Sequence, residues 1–370
     1  GAGRAHPPRE RPPCRPGQAV GPAPGPVSVP GSGPDSGPGD GAAPDGCVDR
    51  SRRVRPTGLT GPATTTNTTT SAHHQRPAPS PAHATAPSTE REPVPSQPSD
   101  PTSADPLAYF TRVTERTYRP TRYTAGAWST TEQHISPLLG LVVHAVEQAV
   151  TGTDDGKVVS RLTFDILGPV AIAPFDVDVT VVRPGRTVEL VEATVTSGMR
   201  AVLRAHVWRL AGTDTGAVAG GRPEPVPAAA DLAPWPMSSV WPGDYIASLD
   251  VRRTPGSSPG RTTAWVSTPV ELLAGEPVSA LARFVSLVDT ANGICVREAP
   301  EQWLFPNVDL SIHLHRQPVA GPVGLDTTVV FGPDGHGLTS TVLHDELGPV
   351  GQAAQVLTLR PRPGRPAAAG

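Results

Sequence analysis

All 16 aromatic residues of the 370-residue chain fall between Tyr109 and Phe331. That distribution decides where a core can form, because aromatic side chains bring much of the area a fold buries. Residues 1–104 hold 22 of the 47 prolines, no Phe, Trp, Tyr, Ile, Met or Lys, and a single leucine, Leu59. Such a stretch cannot bury enough apolar surface to offset its conformational entropy, so it is predicted to be a disordered tail rich in Pro, Gly, Ser and Thr. A short disordered tail is expected at 363–370 as well. The remaining folding unit of about 260 residues suits two small domains or one large one.

Charge and composition exclude several function classes. The tail carries 10 arginines against 8 acids, and the remainder 21 basic residues against 26 acids, for a net charge of −3. Neither part is a basic footprint, so no nucleic-acid partner is expected. No run of 18 apolar residues is present, so no membrane span is expected. The sequence does not open on a charged-then-apolar signal peptide. Two of the three cysteines, Cys14 and Cys47, lie in the tail, which leaves Cys295 alone and excludes a disulfide framework or a cysteine-rich zinc site. These features predict a soluble protein of a reducing compartment, the cytoplasm, with no metal and no redox cofactor.

From Asp105 the pattern becomes that of a fold. Ser136–Val150 reads as a helix, with Ser136 as N-cap and Pro137 in the first turn. Strand-like stretches follow at 158–167, 175–182, 187–196 and 201–210, divided by Gly- and Pro-rich turns. A proline-rich linker comes next, and the order recurs. A strand is expected at 261–270, a second apolar helix at 278–290 with Ser279 as cap, and strands at 308–315, 324–331, 338–345 and 351–360. The two halves superpose at a period near 148, where Phe175–Val182 falls on Val323–Val330. A duplicated unit is the economical reading. The fold class is therefore α+β, one long helix against an antiparallel sheet, twice in one chain, which is the layout of a double hotdog. The expected divisions are an N-terminal domain at 105–215, a linker at 216–234 and a C-terminal domain at 235–362.

Specific segments carry a resemblance. Thr124-Ala-Gly-Ala-Trp128, His134-Ile-Ser-Pro-Leu-Leu-Gly140, Arg183–Thr194, Ala291-Asn-Gly-Ile294, Phe305-Pro-Asn-Val-Asp-Leu310 and Phe331-Gly-Pro-Asp-Gly335 resemble the actinobacterial branch of the acyl-CoA thioesterase family. The chain is more distantly similar to the bacterial type II acyl-CoA thioesterases. The resemblance spans roughly residues 105–360. It implies a tandem hotdog hydrolase that cleaves acyl-CoA thioesters with a positioned water, CoA entering only as part of the substrate. It also makes a homodimer an expectation, since hotdogs pair their sheets.

Three residues are candidates for the chemistry. Asp289 ends an otherwise apolar helix, where a carboxylate opposes the helix dipole at a cost of about 0.3–1 kcal/mol, and more if buried. A solvated helix end or a structural ion pair would also place an acid there. The resemblance gives Asp289 the role of holding the hydrolytic water. Gln355 shares a strand face with Ala353, Leu357 and Leu359, so its amide needs partners. Those partners could be plain backbone; the resemblance makes Gln355 a second water ligand. Asn307 opens a stretch that alternates strictly, with Asn307, Asp309, Ser311, His313 and His315 on one face and Val308, Leu310, Ile312 and Leu314 on the other. A half-exposed strand accounts for that pattern. The type II enzymes have a hydroxyl where this chain has Asn307, two residues before Asp309, and an amide can also bind a water.

Other residues are expected around the substrate. Leu139 and Gly140 match the glycine-containing start of the family's first helix, where backbone amides could meet an oxyanion and glycine could admit substrate. Tight helix–sheet packing is the competing reason for Gly140. His134 and Asp309 are expected to contact substrate. Gly256-Ser-Ser-Pro-Gly260 fits the serine-hydrolase elbow only as a string, because proline and glycine surround it where a strand and helix should. Gly156-Lys157 lacks the glycine spacing of a phosphate loop. Cys295 reads as a small core residue, and His313-Leu-His315 lacks a third metal ligand. Two further function classes stay open. An enoyl-thioester hydratase needs an Asp–His pair at the active-site helix, and the second helix has no His while the first offers His144 beside Glu147. A non-catalytic acyl- or CoA-binding module would leave the polar trio incidental.

Overall fold

The computed structural model describes residues 105–151 and 155–363. The two expected tails lie outside the described residues, apart from Pro363 in a turn.

The first half opens with two short strands that the sequence pattern did not announce, β1 (Ala108–Arg112) and β2 (Thr117–Pro120). Helix α1 (Ile135–Ala149) follows, and then the meander β3 (Lys157–Ile166), β4 (Phe175–Arg183), β5 (Val188–Ser197) and β6 (Arg200–Ala211). The second half holds β7 (Ala233–Pro234), the four-residue helix α2 (Asp244–Ala247), β8 (Asp250–Arg253), β9 (Arg261–Ser267) and β10 (Glu271–Leu273). Helices α3 (Ala280–Val288) and α4 (Ala291–Ile294) and a short β11 (Trp303–Leu304) come next. Strands β12 (Asp309–Leu314), β13 (Val323–Phe331), β14 (His336–Asp345), β15 (Gly348–Thr358) and β16 (Arg360–Pro361) follow.

Fourteen strands form one sheet in the order β10-β1-β2-β4-β5-β6-β3-β12-β15-β14-β13-β9-β8-β7. Around its centre the order is mirrored: β2-β4-β5-β6-β3 on one side answers β9-β13-β14-β15-β12 on the other. The halves join through β3 and β12, where Ser311 pairs with Thr163, 148 residues earlier. The alternation of buried and exposed side chains along β5, β14 and β15 follows the period of two expected of strands with one covered face.

The helices cover that face. Residues Ser136–Val146 of α1 are buried on every side, as a helix must be when it meets both a sheet and a second helix. That second helix is α3, whose cap is Ser279 as expected, its side chain accepting from the Ala282 N–H at 3.0 Å. Helix α1 departs from expectation at its cap. His134, not Ser136, closes it, with Nδ1 accepting from the Ser136 N–H at 3.2 Å. Helix α3 stops at Val288, and Asn292 and Gly293 belong to the separate helix α4.

Candidate active site

Helix α3 ends at Asp289, which is its C-cap, and the carboxylate points into the protein with 5% exposure. Its Oδ1 accepts from the Asn307 Nδ2 at 2.7 Å and from the Gln355 Nε2 at 2.8 Å. The three residues come from a helix end, the lead-in to β12 and the middle of β15, and the fold brings them to one point. Gln355 is 1% exposed and faces inward because β15 alternates as expected, with Gln352 and Val356 outward.

Asn307 arrives by a different route from the one its sequence suggests. It forms a bridge with Leu357, whereas further along Ser311 pairs with Ala354, so the register slips by one residue between them. A one-residue slip turns every side chain before it to the other face. Asn307 therefore points inward and Val308 outward, at 42% exposure, while His313 and His315 stay exposed on the outer face. The expected single polar face from Asn307 to His315 is thus divided in two. Asp309 stabilises the slip: its Oδ1 accepts from the Val356 N–H at 2.7 Å, standing in for a ladder carbonyl. One oxygen of that carboxylate is therefore engaged by backbone. The Asn307 Nδ2 also donates to the Asp309 carbonyl at 3.0 Å, which fixes the amide's orientation.

Burial pushes the Asp289 carboxyl up to about 6. The Asn307 and Gln355 amides pull it back down, and the charge of Asp309 adds to the rise. Both amides sit on Oδ1. Oδ2 is left facing the ring of His134, 4.0 Å from Nδ1. Burial holds that imidazole down to about 3, and its Nδ1 lone pair is taken by the Ser136 N–H, so the ring is neutral with its proton on Nε2. Asp289 and His134 are therefore not an ion pair.

Residues that the sequence reading missed hold this arrangement. The Tyr245 ring stacks on His134 with centroids 4.2 Å apart, and its hydroxyl meets the Thr290 Oγ1 at 2.9 Å. One side chain thus braces both the imidazole and the residue after Asp289. Tyr245 reaches them because Gly243, at φ 103°, lets the chain pass against the carbonyls of Ala125 and Gly126, where a Cβ would come within 2.7 and 2.5 Å. On the other flank Asn292 Nδ2 donates to the Phe305 carbonyl at 3.0 Å, which anchors the approach to Asn307. No local pattern marks Tyr245, since its partners are more than forty residues away on each side.

Gly140 and Leu139 lie where the two long helices cross. A Cβ on Gly140 would stand 2.5 Å from the Ser286 Cβ and 2.6 Å from the Ala282 carbonyl oxygen. The glycine thus lets α1 and α3 cross closely, and Leu139 is a core side chain with no exposure. Among the described residues no group of three or more His, Cys, Asp or Glu could hold a metal, and no helix is long and apolar enough to cross a membrane.

Residues 124–210 match the model for the acyl-CoA thioesterase N-terminal domain, and residues 223–359 match the model for its C-terminal domain. The chain belongs to the acyl-CoA thioesterase family. In this family's C-terminal domain lie Asp289, Asn307 and Gln355, while His134 comes from the N-terminal one. Solved structures agree on the fold. A hotdog-fold protein of unknown function from Alicyclobacillus acidocaldarius superposes with a TM-score of 0.54 at 14% identity, over 68% of this chain and 94% of that one. An acyl-CoA thioesterase II from Mycobacterium marinum gives 0.51 at 13% identity, over 70% and 98%. The TesB protein of Mycobacterium avium subsp. paratuberculosis gives 0.51 at 15% identity, over 68% and 96%. No curated protein matches the sequence.

Proposed function

We propose that the chain is a double hotdog enzyme that hydrolyses acyl-CoA thioesters to the free acid and CoA, with a water held on Asp289, Asn307 and Gln355. The observation that carries this reading is the division of labour on one carboxylate. Two amides fix Oδ1, so Oδ2 is the atom left to take a proton, and burial has moved its pKa near the operating range of a general base. Water oxygen attacks the thioester carbonyl carbon as its proton passes to Oδ2. The tetrahedral intermediate then expels the thiolate, breaking the carbon–sulfur bond, and Asp289 returns the proton to the thiolate or to solvent. A thiolate is a stable leaving group, so a site without a strong acid suffices. The mirrored strand order and the pairing of Ser311 with Thr163 support the tandem reading.

The test is release of free thiol from acyl-CoA substrates of graded chain length, with wild type beside Gln355→Ala. Turnover in the wild type that falls by two orders of magnitude or more in the variant, roughly what a positioned catalytic group contributes, supports the reading. Equal turnover in both refutes it. The hydratase reading gains one observation, because the structure does bring an Asp and a His together across α1 and α3. It requires consumption of an enoyl thioester without thiol release, which the same assay separates.

A further inference from the structure

We infer that His134 is a further catalytic residue, a neutral imidazole whose Nε2–H donates to the oxyanion formed when water attacks the thioester. The inference rests on the hydrolase reading above and adds to it the donor that reading lacks. The ring is the first residue before α1, so it stands at the positive end of a fifteen-residue helix, where developing negative charge is favoured and an imidazolium is not. Its Nδ1 accepts from the Ser136 N–H at 3.2 Å, which places the proton on Nε2. Nδ1 therefore cannot take a proton from the attacking water, and that task falls to Asp289 Oδ2, 4.0 Å away. Nε2 has no partner among the described residues, and the side chain is 15% exposed, so this one donor remains accessible beside the base.

The relative placement of donor and base is built in. Tyr245 stacks under the imidazole and bonds Thr290, the residue following Asp289, and the α1–α3 crossing at Gly140 closes the distance between the two helices. Attack and charge stabilisation are thus supplied from opposite halves of the chain: the base and its amides from the second, the electrophile from the first. A neutral imidazole suits the role. It polarises a carbonyl without a proton to lose at physiological pH, and a preorganised donor needs no reorientation as the oxyanion appears.

His134→Asn tests this in the full chain, because an asparagine at the N-cap still accepts from the Ser136 N–H but has no donor at the far edge of a ring. The melting temperature is expected to stay near wild type, kcat on acyl-CoA to fall about 100-fold, the loss typical for one oxyanion donor, and KM to remain unchanged. Nitrogen-detected NMR of the histidines is expected to show His134 as the neutral Nε2–H tautomer from pH 8 to pH 5. Wild-type kcat in His134→Asn would overturn the inference, as would a loss confined to KM or a proton found on Nδ1. Thiol release by the wild type that survives in the variant refutes only this donor. No thiol release from wild type with any acyl-CoA refutes the hydrolase reading and this inference with it.

Discussion

Replacing Asp289 by asparagine is expected to make the protein more stable at neutral pH while it abolishes turnover. The carboxyl's ordinary value is 3.8 and burial raises it to about 6. At about 1.36 kcal/mol for each unit, the ionised carboxylate costs the native state roughly 3 kcal/mol. Asparagine loses none of the partners, since its Oδ1 can accept from Asn307 and Gln355 as the carboxylate does. The sign follows from proton binding. Between pH 4 and 6 the native state holds a proton on Asp289 that the unfolded chain has released, so wild-type stability falls as pH rises through that window. Below it the penalty is absent, and above it complete. The variant should therefore match wild type near pH 4 and exceed it by about 3 kcal/mol at pH 8, which for a fold of this size corresponds to roughly 5–10 °C in melting temperature. Urea unfolding of both proteins at the two pH values measures the gap. A gap of equal size at both, or a variant less stable at pH 8, would show that ionising the buried carboxylate does not cost the native state stability.

Other outcomes follow from the same geometry. Turnover of wild type, measured as kcat/KM against pH, should rise with a midpoint near about 6 as Asp289 ionises, and a flat profile from pH 5 to 8 would remove Asp289 from the base's role. In Asp309→Asn the acceptor for the Val356 N–H is kept while a neighbouring negative charge is lost, so the acid limb of that profile should move to lower pH. Gly140→Ala adds a methyl against the backbone of α3. Despite alanine's better helix propensity, overpacking should cost about 1–3 kcal/mol or more, read as a fall in melting temperature. Turnover should fall with it, because the two helix ends that carry His134 and Asp289 are spread apart.

Much of this fold could be read from the chain, and the parts that could not share a cause. Helices and strands of nine residues or more announce themselves through their periodicity, so the two meanders and both long helices lie within a few residues of their expected bounds. The strands β1, β2, β8 and β10, of three to five residues, are too short to carry a period and were missed. Within the site, Gln355 was legible because β15 alternates regularly from Gly351 onward. Asn307 was assigned the wrong face because a register slip leaves no mark in an alternating sequence: Val308 to Leu314 reads as uninterrupted, and only the pairing with β15 reveals the extra residue. His134, Tyr245 and Asp289 were invisible as a group because each is local to a different element.

At the period of 148, Asn307 falls on Val159 and Gln355 on Val207, and the same one-residue slip recurs between Val159 and Arg161. The first half has kept the backbone irregularity that aims a side chain inward, yet puts an apolar group there. In the first half the slip serves packing, and under the proposed function only the second half adds chemistry to it. The matching backbone of the two halves thus supplies position, and under the proposed function a few side chains that differ between them place the base and its amides in the second half, facing a histidine of the first.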